Sequence, residues 1–354
     1  MSTELSIRPI KESDYERWTR FVADSPSGSI YGLPAYLEVL CGATNASFSI
    51  VGVFRGSELV GGMPLYLARY RAGLVASNRL LLYYHSPVIR EYATKVPSER
   101  TSRQLAIMLA LEKHLRTIDC IHLLMHVRHP IGDVRPFLST GWHVRPSYSY
   151  VVGIADLQLA FGRVDQNLRR LIDRAGKNGL VHTDDDDFDS FYRLHLDTHH
   201  RKGAPLYLEE SAFRTFFEKL KAQDLCRLYH ARLPDGKSVA TQLVLTGAHP
   251  VSHTVCAAAD AEYLSIGSTP FLRWKSFESL SSLGYAANDL TDAALNDVTR
   301  FKSQLGGDLV ANWVVTRPET IRYRLYRRAE RAAYRTRSLV EQITNRLKRG
   351  RSPK

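Results

Sequence analysis

Asp297-Val298-Thr299-Arg300-Phe301-Lys302-Ser303, closed by Gly306-Gly307, repeats in altered form a stretch from the first half of the chain, Asp133-Val134-Arg135-Pro136-Phe137-Leu138-Ser139, closed by Gly141. Each reads as a short helix that a glycine ends. Val and Phe three positions apart share one helix face, so half of the likeness is ordinary core patterning. The flanking elements carry the rest. A hairpin (48–54 and 59–67, turning at Arg55-Gly56-Ser57-Glu58), a helix over 101–115 and a strand over 120–126 precede the first copy, and a strand over 143–154 follows it. A hairpin (227–233 and 238–245, turning at Pro234-Asp235-Gly236), a strand over 251–258, a helix over 269–280 and a strand over 286–290 precede the second, and a strand over 308–315 follows it. A strand at 7–10 opens the chain, and helices are expected from Asp14 and over 166–178, 188–200 and 211–222. One order of elements met twice predicts a duplicated α/β (mixed α+β) unit.

The 354 residues accommodate two such units and a tail, divided as 1–155, 156–316 and 317–354. With 44% hydrophobic and 24% charged residues, the composition excludes a disordered or collagen-like chain. Cys41, Cys120, Cys226 and Cys256 form no CxxC pair, which argues against a zinc ribbon and for reduced thiols in a cytoplasmic protein. No run of about 18 apolar residues occurs, and no apolar signal core opens the sequence, so neither a membrane span nor a secretory leader is expected. The net charge of +12 is concentrated: residues 317–354 hold 13 basic and 3 acidic side chains. GxSxG, P-loop and GxGxxG motifs are all missing, so a serine hydrolase, a P-loop NTPase and a dinucleotide dehydrogenase lack their main signatures.

Three further stretches join the argument. Asn167-Leu168-Arg169-Arg170-Leu171-Ile172, with Ala175, Lys177 and Gly179, is an arginine-rich helix leading into a strand. Thr198-x-x-Arg201-x-Gly203 follows the next helix. Asp289-Leu290-Thr291 ends a strand ahead of Phe301-Lys302 and Gly306-Gly307. In order and spacing these resemble the FemABX-like proteins, the peptidoglycan aminoacyltransferases and their relatives, which consist of two tandem GNAT-type acyltransferase halves. The resemblance covers roughly residues 5 to 316 and is clearest in the second half.

That resemblance implies an acyltransferase whose second half does the chemistry while the first supports it and holds the acceptor. Lys302, beside Phe301, would stabilise the oxyanion of the tetrahedral intermediate, and one such donor contributes on the order of 10²–10³ in rate. The matching place in the first copy is Leu138, so one half alone carries the lysine. Arg201 would bind phosphate with its fork of donors. Asp289 would orient or deprotonate the nucleophile. Arg170, Arg174 and Lys177 would cradle a phosphorylated ligand. On the residues alone the bland roles stay open: a solvated lysine, a core phenylalanine, a loop arginine, an aspartate opening a helix, a solvated basic face.

Two departures from the family pattern bear on the substrates. Leu264-x-x-Gly267-x-Thr269 stands where an acyl-CoA pyrophosphate signature belongs, and both outer positions fail. Gly267 and Ser268 could still receive an anion at a helix start. Pro34-x-Tyr36-x-x-x-Leu40 resembles a family segment that ends in a phosphate-binding lysine; Tyr36 is kept as a substrate contact, but Leu40 replaces the lysine, which argues against a UDP-linked precursor. No cofactor is expected beyond a donor co-substrate, either acyl-CoA or aminoacyl-tRNA. The acceptor is an amine or hydroxyl on a cell-envelope or polysaccharide precursor. The rival readings are an acyl-CoA N-acetyltransferase acting on an amino sugar or small amine, and a non-catalytic GNAT pair that holds RNA or membrane through its tail.

Asp184 to Asp187 with Asp189 precede a helix, where carboxylates favour the positive end of the dipole, and their spacing does not suit a metal loop. His122, His126 and His129, and His195, His199 and His200, come without HExxH and read as structural or surface groups; no metal is expected. From Ile321 onward, Leu325, Ala329, Ala332, Leu339, Ile343 and Leu347 recur mostly three or four apart among arginines, the pattern of a basic amphipathic helix. Packing on the body, peripheral contact with an anionic inner membrane face, and RNA binding are all open to it.

Overall fold

The computed structural model describes residues 4–329 except Leu80, Pro205 and the side chain of Asp297, so the tail expected beyond 329 lies outside the described residues. In the first half, β1 (Leu5–Pro9) leads to α1 (Tyr15–Asp24), α2 (Pro34–Thr44), the hairpin β2 (Ser47–Arg55) and β3 (Glu58–Tyr70), then β4 (Gly73–Ala76), a two-residue β5 (Val88–Ile89), α3 (Pro97–Thr117), β6 (His122–Val127), α4 (Arg135–Ser139) and β7 (His143–Gly153). The second half runs α5 (Leu157–Arg163), α6 (Gln166–Lys177), β8 (Val181–Asp184), α7 (Phe188–Lys202), α8 (Glu210–Ala222), β9 (Cys226–Arg232), β10 (Ser238–Leu245), β11 (Val251–Ala259), α9 (Ser268–Ser282), β12 (Ala287–Asp289), α10 (Asp297–Ser303) and β13 (Asp308–Thr316).

The strands form one sheet in the order β1-β2-β3-β4-β6-β13-β7-β12-β11-β10-β9-β8, with β5 attached to β3. That order reads the same from both ends once each element is matched to its counterpart in the repeat: β1 with β8, β2 with β9, β3 with β10, β4 with β11, β6 with β12. The parallel pairs obey the same symmetry, β4 with β6 and β11 with β12. At the centre the halves exchange their last strands. β13 pairs with β6 of the first half, β7 pairs with β12 of the second, and β7 and β13 pair with each other over nine residues. The exchange reaches the core. Val315 and Trp313 of β13 pack into the first-half cluster with Leu111, Leu123 and Phe137, whereas Val152 of β7 and Ile154 just beyond it pack into the second-half cluster with Leu168, Phe277 and Leu305.

Side-chain alternation distributes each strand between two layers. Leu243 and Leu245 face the cluster under α1, α2, α7 and α8, while Val244 faces the cluster under α6 and α9. The first of these layers joins the halves: Tyr36 and Leu40 of α2 share a cluster with Phe213, Phe216 and Phe217 of α8. Helix starts follow local chemistry. Asp165 caps α6 by accepting from the amides of Asn167 and Leu168, and Asp187 caps α7 by accepting from Ser190. The rest of the acidic run is paired with cations, Asp185 and Asp187 with Arg232 and Asp186 with Lys221.

After β13, Arg317 donates to the carbonyl oxygens of Leu115 and Ile118, satisfying the end of α3. Residues 321–329 are helical. Tyr323 stacks on His122 at 4.2 Å and Tyr326 meets Tyr70 at 5.8 Å, so this stretch packs on the body. Its opposite face carries Ile321 and Leu325, 67% and 59% exposed, among exposed arginines.

Candidate active site

The site grows from a gap between two parallel strands. β11 and β12 pair only over Val251–His253 against Ala287–Asp289; β12 then stops while β11 runs on to Ala259. Val255 is an extra residue in β11 opposite β10, a bulge that bends the strand away. Along the unpaired stretch lies a cavity of about 490 Å³. Its sheet wall is small and smooth, with Ala240, Ala257, Ala258 and Ala259. The remaining sides come from the end of α7 (Thr198, Arg201, Lys202), the first turns of α9 (Thr269, Pro270, Leu272, Arg273) and α10 (Val298, Phe301).

Lys302 follows Phe301 and is half-buried. Its ammonium donates to the carbonyl oxygens of Thr291 at 2.7 Å and Asp292 at 2.6 Å. An ammonium has three N–H donors, so one is left over. Burial, reinforced by the nearby Arg273 charge, pushes Lys302 down to about 8, while Asp292 and Asp289 oppose the shift. Thr291, which holds the lysine, sits at φ +49°, a conformation a β-branched residue adopts only when its surroundings enforce it. They do so through Asp289: its Oδ1 accepts from the Thr291 amide at 2.8 Å, and the Thr291 hydroxyl donates to the Thr254 carbonyl oxygen at 3.0 Å.

Asp289 itself is fully buried and does not line the cavity. Its Oδ2 accepts from the Tyr84 hydroxyl of the first half at 2.8 Å, and burial pushes its carboxyl up from the usual carboxylate range. Asp289 therefore borders no ligand space, and it is linked to Lys302 by way of Thr291. The Ser149 hydroxyl on β7 donates to the Tyr84 oxygen and accepts from the Asn312 amide on β13, so the exchanged strands supply the support of the site.

The other sequence expectations divide. Phe301 lines the cavity and packs against the second-half core, and Arg201 stands exposed at the rim. Gly267, at φ +84°, starts α9 with its α-carbon against α6, where a side chain would come within 2.9 Å of the Leu171 carbonyl oxygen. Ser268 is buried and donates to the Tyr263 carbonyl oxygen, so its hydroxyl is used internally. Arg174 donates to the Ser265 carbonyl oxygen at 3.0 Å and so ties α6 to the loop before α9. Arg170 is exposed, and Lys177 borders a separate depression with Phe161 and Trp274; neither borders the main cavity. Tyr36 lies in the core between the halves, edge-on to Tyr31 and Phe216, with its hydroxyl donated to Leu81, so it faces no ligand space. Arg273 and Gln242 were missing from the sequence reading, and Thr198 entered it only as part of the Thr198-x-x-Arg201-x-Gly203 segment, with no role assigned. The visible signal was a polar residue between apolar neighbours: Gln242 within Ser238–Leu245, and Arg273 between Leu272 and Trp274.

Comparison with known proteins agrees with this fold. Residues 162–303 match the acetyltransferase (GNAT) domain family. No curated protein matches the chain. Among solved structures, the crystal structure of FemX is similar with a TM-score of 0.70 at 13% identity, covering 91% of this chain and 99% of that one. The C-terminal domain of a putative lysylphosphatidylglycerol synthetase from Agrobacterium fabrum is similar with a TM-score of 0.54 at 13% identity, covering 86% of this chain and 92% of that one. L-PGS from Bacillus licheniformis follows with a TM-score of 0.54 at 12% identity, covering 89% and 94%. Residues 162–303 thus match the GNAT acetyltransferase domain family, and the chain as a whole has the two-half fold of FemX.

Proposed function

We propose that the protein is an acyltransferase that moves an acyl or aminoacyl group from an acyl-CoA or aminoacyl-tRNA onto an amine or hydroxyl of a cell-envelope precursor. The observation that carries the reading is Lys302: a half-buried ammonium held by two carbonyl oxygens, with one N–H uncommitted, next to a cavity wall residue. Attack on the donor carbonyl builds negative charge on one oxygen. A preorganised cation in a partly dry site stabilises that charge without reorganising. Phe301 shields the approach from water, Thr291 fixes the ammonium, and Asp289 with Tyr84 fixes Thr291. Arg201 and Lys202 at the rim favour a phosphorylated donor.

A surface feature supports a place for the acceptor. Ile321 and Leu325 face outward among arginines, which suits peripheral contact with an anionic membrane carrying a lipid-linked precursor. Among the described residues no helix is long and apolar enough to cross a membrane. The acyl-transfer reading is tested by Lys302→Met in a donor-acceptor screen with acetyl-CoA and aminoacyl-tRNA. Turnover should fall about 10²–10³-fold with the fold intact, and undiminished turnover would discard the reading.

A further inference from the structure

The cavity beside Lys302 holds three buried polar side chains with atoms that find no partner among the described residues. Arg273 is 7% exposed, with Nη1 unpaired; Gln242 is 1% exposed, with both amide atoms unpaired; Thr198 is 5% exposed, with its hydroxyl unpaired. All three line the cavity. Buried polar groups in folded proteins are nearly always hydrogen-bonded, and buried charges nearly always paired. Three failures in one place therefore mark a place that a ligand completes.

The unmet groups also say what the ligand offers. Arg273 needs an acceptor, and it stays charged at neutral pH although burial lowers it to about 10. With Lys302 close by, the field at that end of the cavity is positive, which selects an anion. Gln242 lacks both a donor and an acceptor partner, whichever way its amide is turned. A fully ionised phosphate presents acceptors only and would leave the Gln242 oxygen facing lone pairs. A carboxylate with an amide N–H close to it meets every group: the guanidinium takes the carboxylate, in the bidentate manner that suits its fork, and Gln242 and Thr198 take the amide. The alanine-lined wall leaves room for a main chain.

We propose that this cavity binds a carboxylate bearing a neighbouring N–H donor, the chemistry of an N-acylated amino acid or a peptide C-terminus, with Arg273 on the carboxylate and Gln242 and Thr198 on the amide. The inference extends the acyl-transfer reading, since it makes Arg273 the residue that selects a carboxylate-bearing substrate and holds it near Lys302.

The test measures binding to the full chain and to Arg273→Met and Gln242→Met, by saturation-transfer NMR and thermal unfolding, with N-acetylglycine, N-acetylglycinamide and inorganic pyrophosphate as probes. N-acetylglycine should bind, the amide should bind at least tenfold more weakly, and pyrophosphate should not displace the acid. Arg273→Met should lose at least tenfold in affinity for the acid and, without probe, unfold at a higher temperature, because an unpaired buried charge has gone. Gln242→Met keeps that charge and supplies the comparison should Arg273→Met not fold; it too should weaken N-acetylglycine. Equal binding of acid and amide, displacement by pyrophosphate, unchanged affinity in the variants, or no binding of the acid would overturn the proposal. Turnover plays no part in these readouts, so a Lys302 variant that stays active would sink the acyl-transfer reading and leave this one standing.

Discussion

Replacing Lys302 with Met removes a buried charge and an oxyanion partner together, and the two effects have opposite signs. The fold holds this ammonium at about 8 against an ordinary 10.5. The difference corresponds to about 3 kcal/mol by which folding disfavours the charged form. Below pH 8 the lysine is protonated in both folded and unfolded chains, and the penalty is present in full. Between pH 8 and 10.5 the unfolded chain keeps a proton that the folded chain has released, so stability rises with pH by ~1.4 kcal/mol per pH unit. Above 10.5 the penalty has gone. Urea unfolding at pH 8 and 9.5 should therefore show wild type gaining ~2 kcal/mol relative to Lys302→Met. The Thr291 and Asp292 carbonyls stripped of their donor cost ~1 kcal/mol each, which moves the variant at every pH without changing that slope. Turnover should move the other way, down by about 10²–10³ in the variant. Wild-type turnover should decline above pH about 8 as the charge is lost. Lys302→Arg, whose charge does not titrate in this range, should keep the alkaline limb flat. Stability curves for wild type and Lys302→Met that run parallel, or a variant that turns over normally, would refute the reasoning.

Other outcomes follow from particular contacts. Tyr84→Phe removes the donor to Asp289 Oδ2 and should lower kcat by about tenfold with little change in KM, since Tyr84 acts through Asp289 and Thr291 on Lys302; an equal rise in KM would mean that it touches substrate instead. Gly267→Ala should cost ~1–3 kcal/mol in thermal unfolding, because a left-handed backbone and the Leu171 carbonyl oxygen both oppose a side chain. Gly284→Ala, at φ +90° but with open space around it, should cost ~1 kcal/mol, and an equal loss at both sites would contradict the clash. Ile321→Ser with Leu325→Ser should weaken cosedimentation with phosphatidylglycerol vesicles while leaving turnover on a free acceptor unchanged; retained vesicle binding at low and high salt would reject the membrane contact.

The repeat was legible because its elements obey local rules. The hairpins, α6, α9 and β13 were placed within a few residues by periodicity and turn chemistry. Helix α2 was not, for a physical reason: six of its eleven residues are buried, so it shows no polar face to betray a helical period. The strand exchange was invisible as well. β7 and β13 are matching elements of the repeat, and either could close either half; which edge each takes depends on packing such as Trp313 and Val315 against the first-half core. In the candidate site, resemblance singled out Phe301, Lys302 and Asp289, but how they are linked needed the distances. Asp289 looks like a base in the sequence and proves to be the support of Thr291. Gln242 and Arg273 look like polar intruders between apolar neighbours, and only their convergence on one cavity makes them a set.

The crossed ends of the sheet have a consequence for how the molecule is made. β6 leaves the ribosome about 180 residues before its permanent neighbour β13, and synthesis proceeds at about 5–20 residues per second. For roughly 10–35 seconds the nascent first half presents a bare strand edge, of the kind that recruits other chains. The nearest segment able to cover it is β7, its own neighbour in sequence and the structural twin of β13. A temporary hairpin of β6 with β7 would protect the nascent chain, and it would have to open before β12 could claim β7. A gene cut at residue 155 would then yield a self-closed module whose β7 occupies the wrong seat, and mixing two such pieces would rebuild the enzyme only as fast as those seats are exchanged.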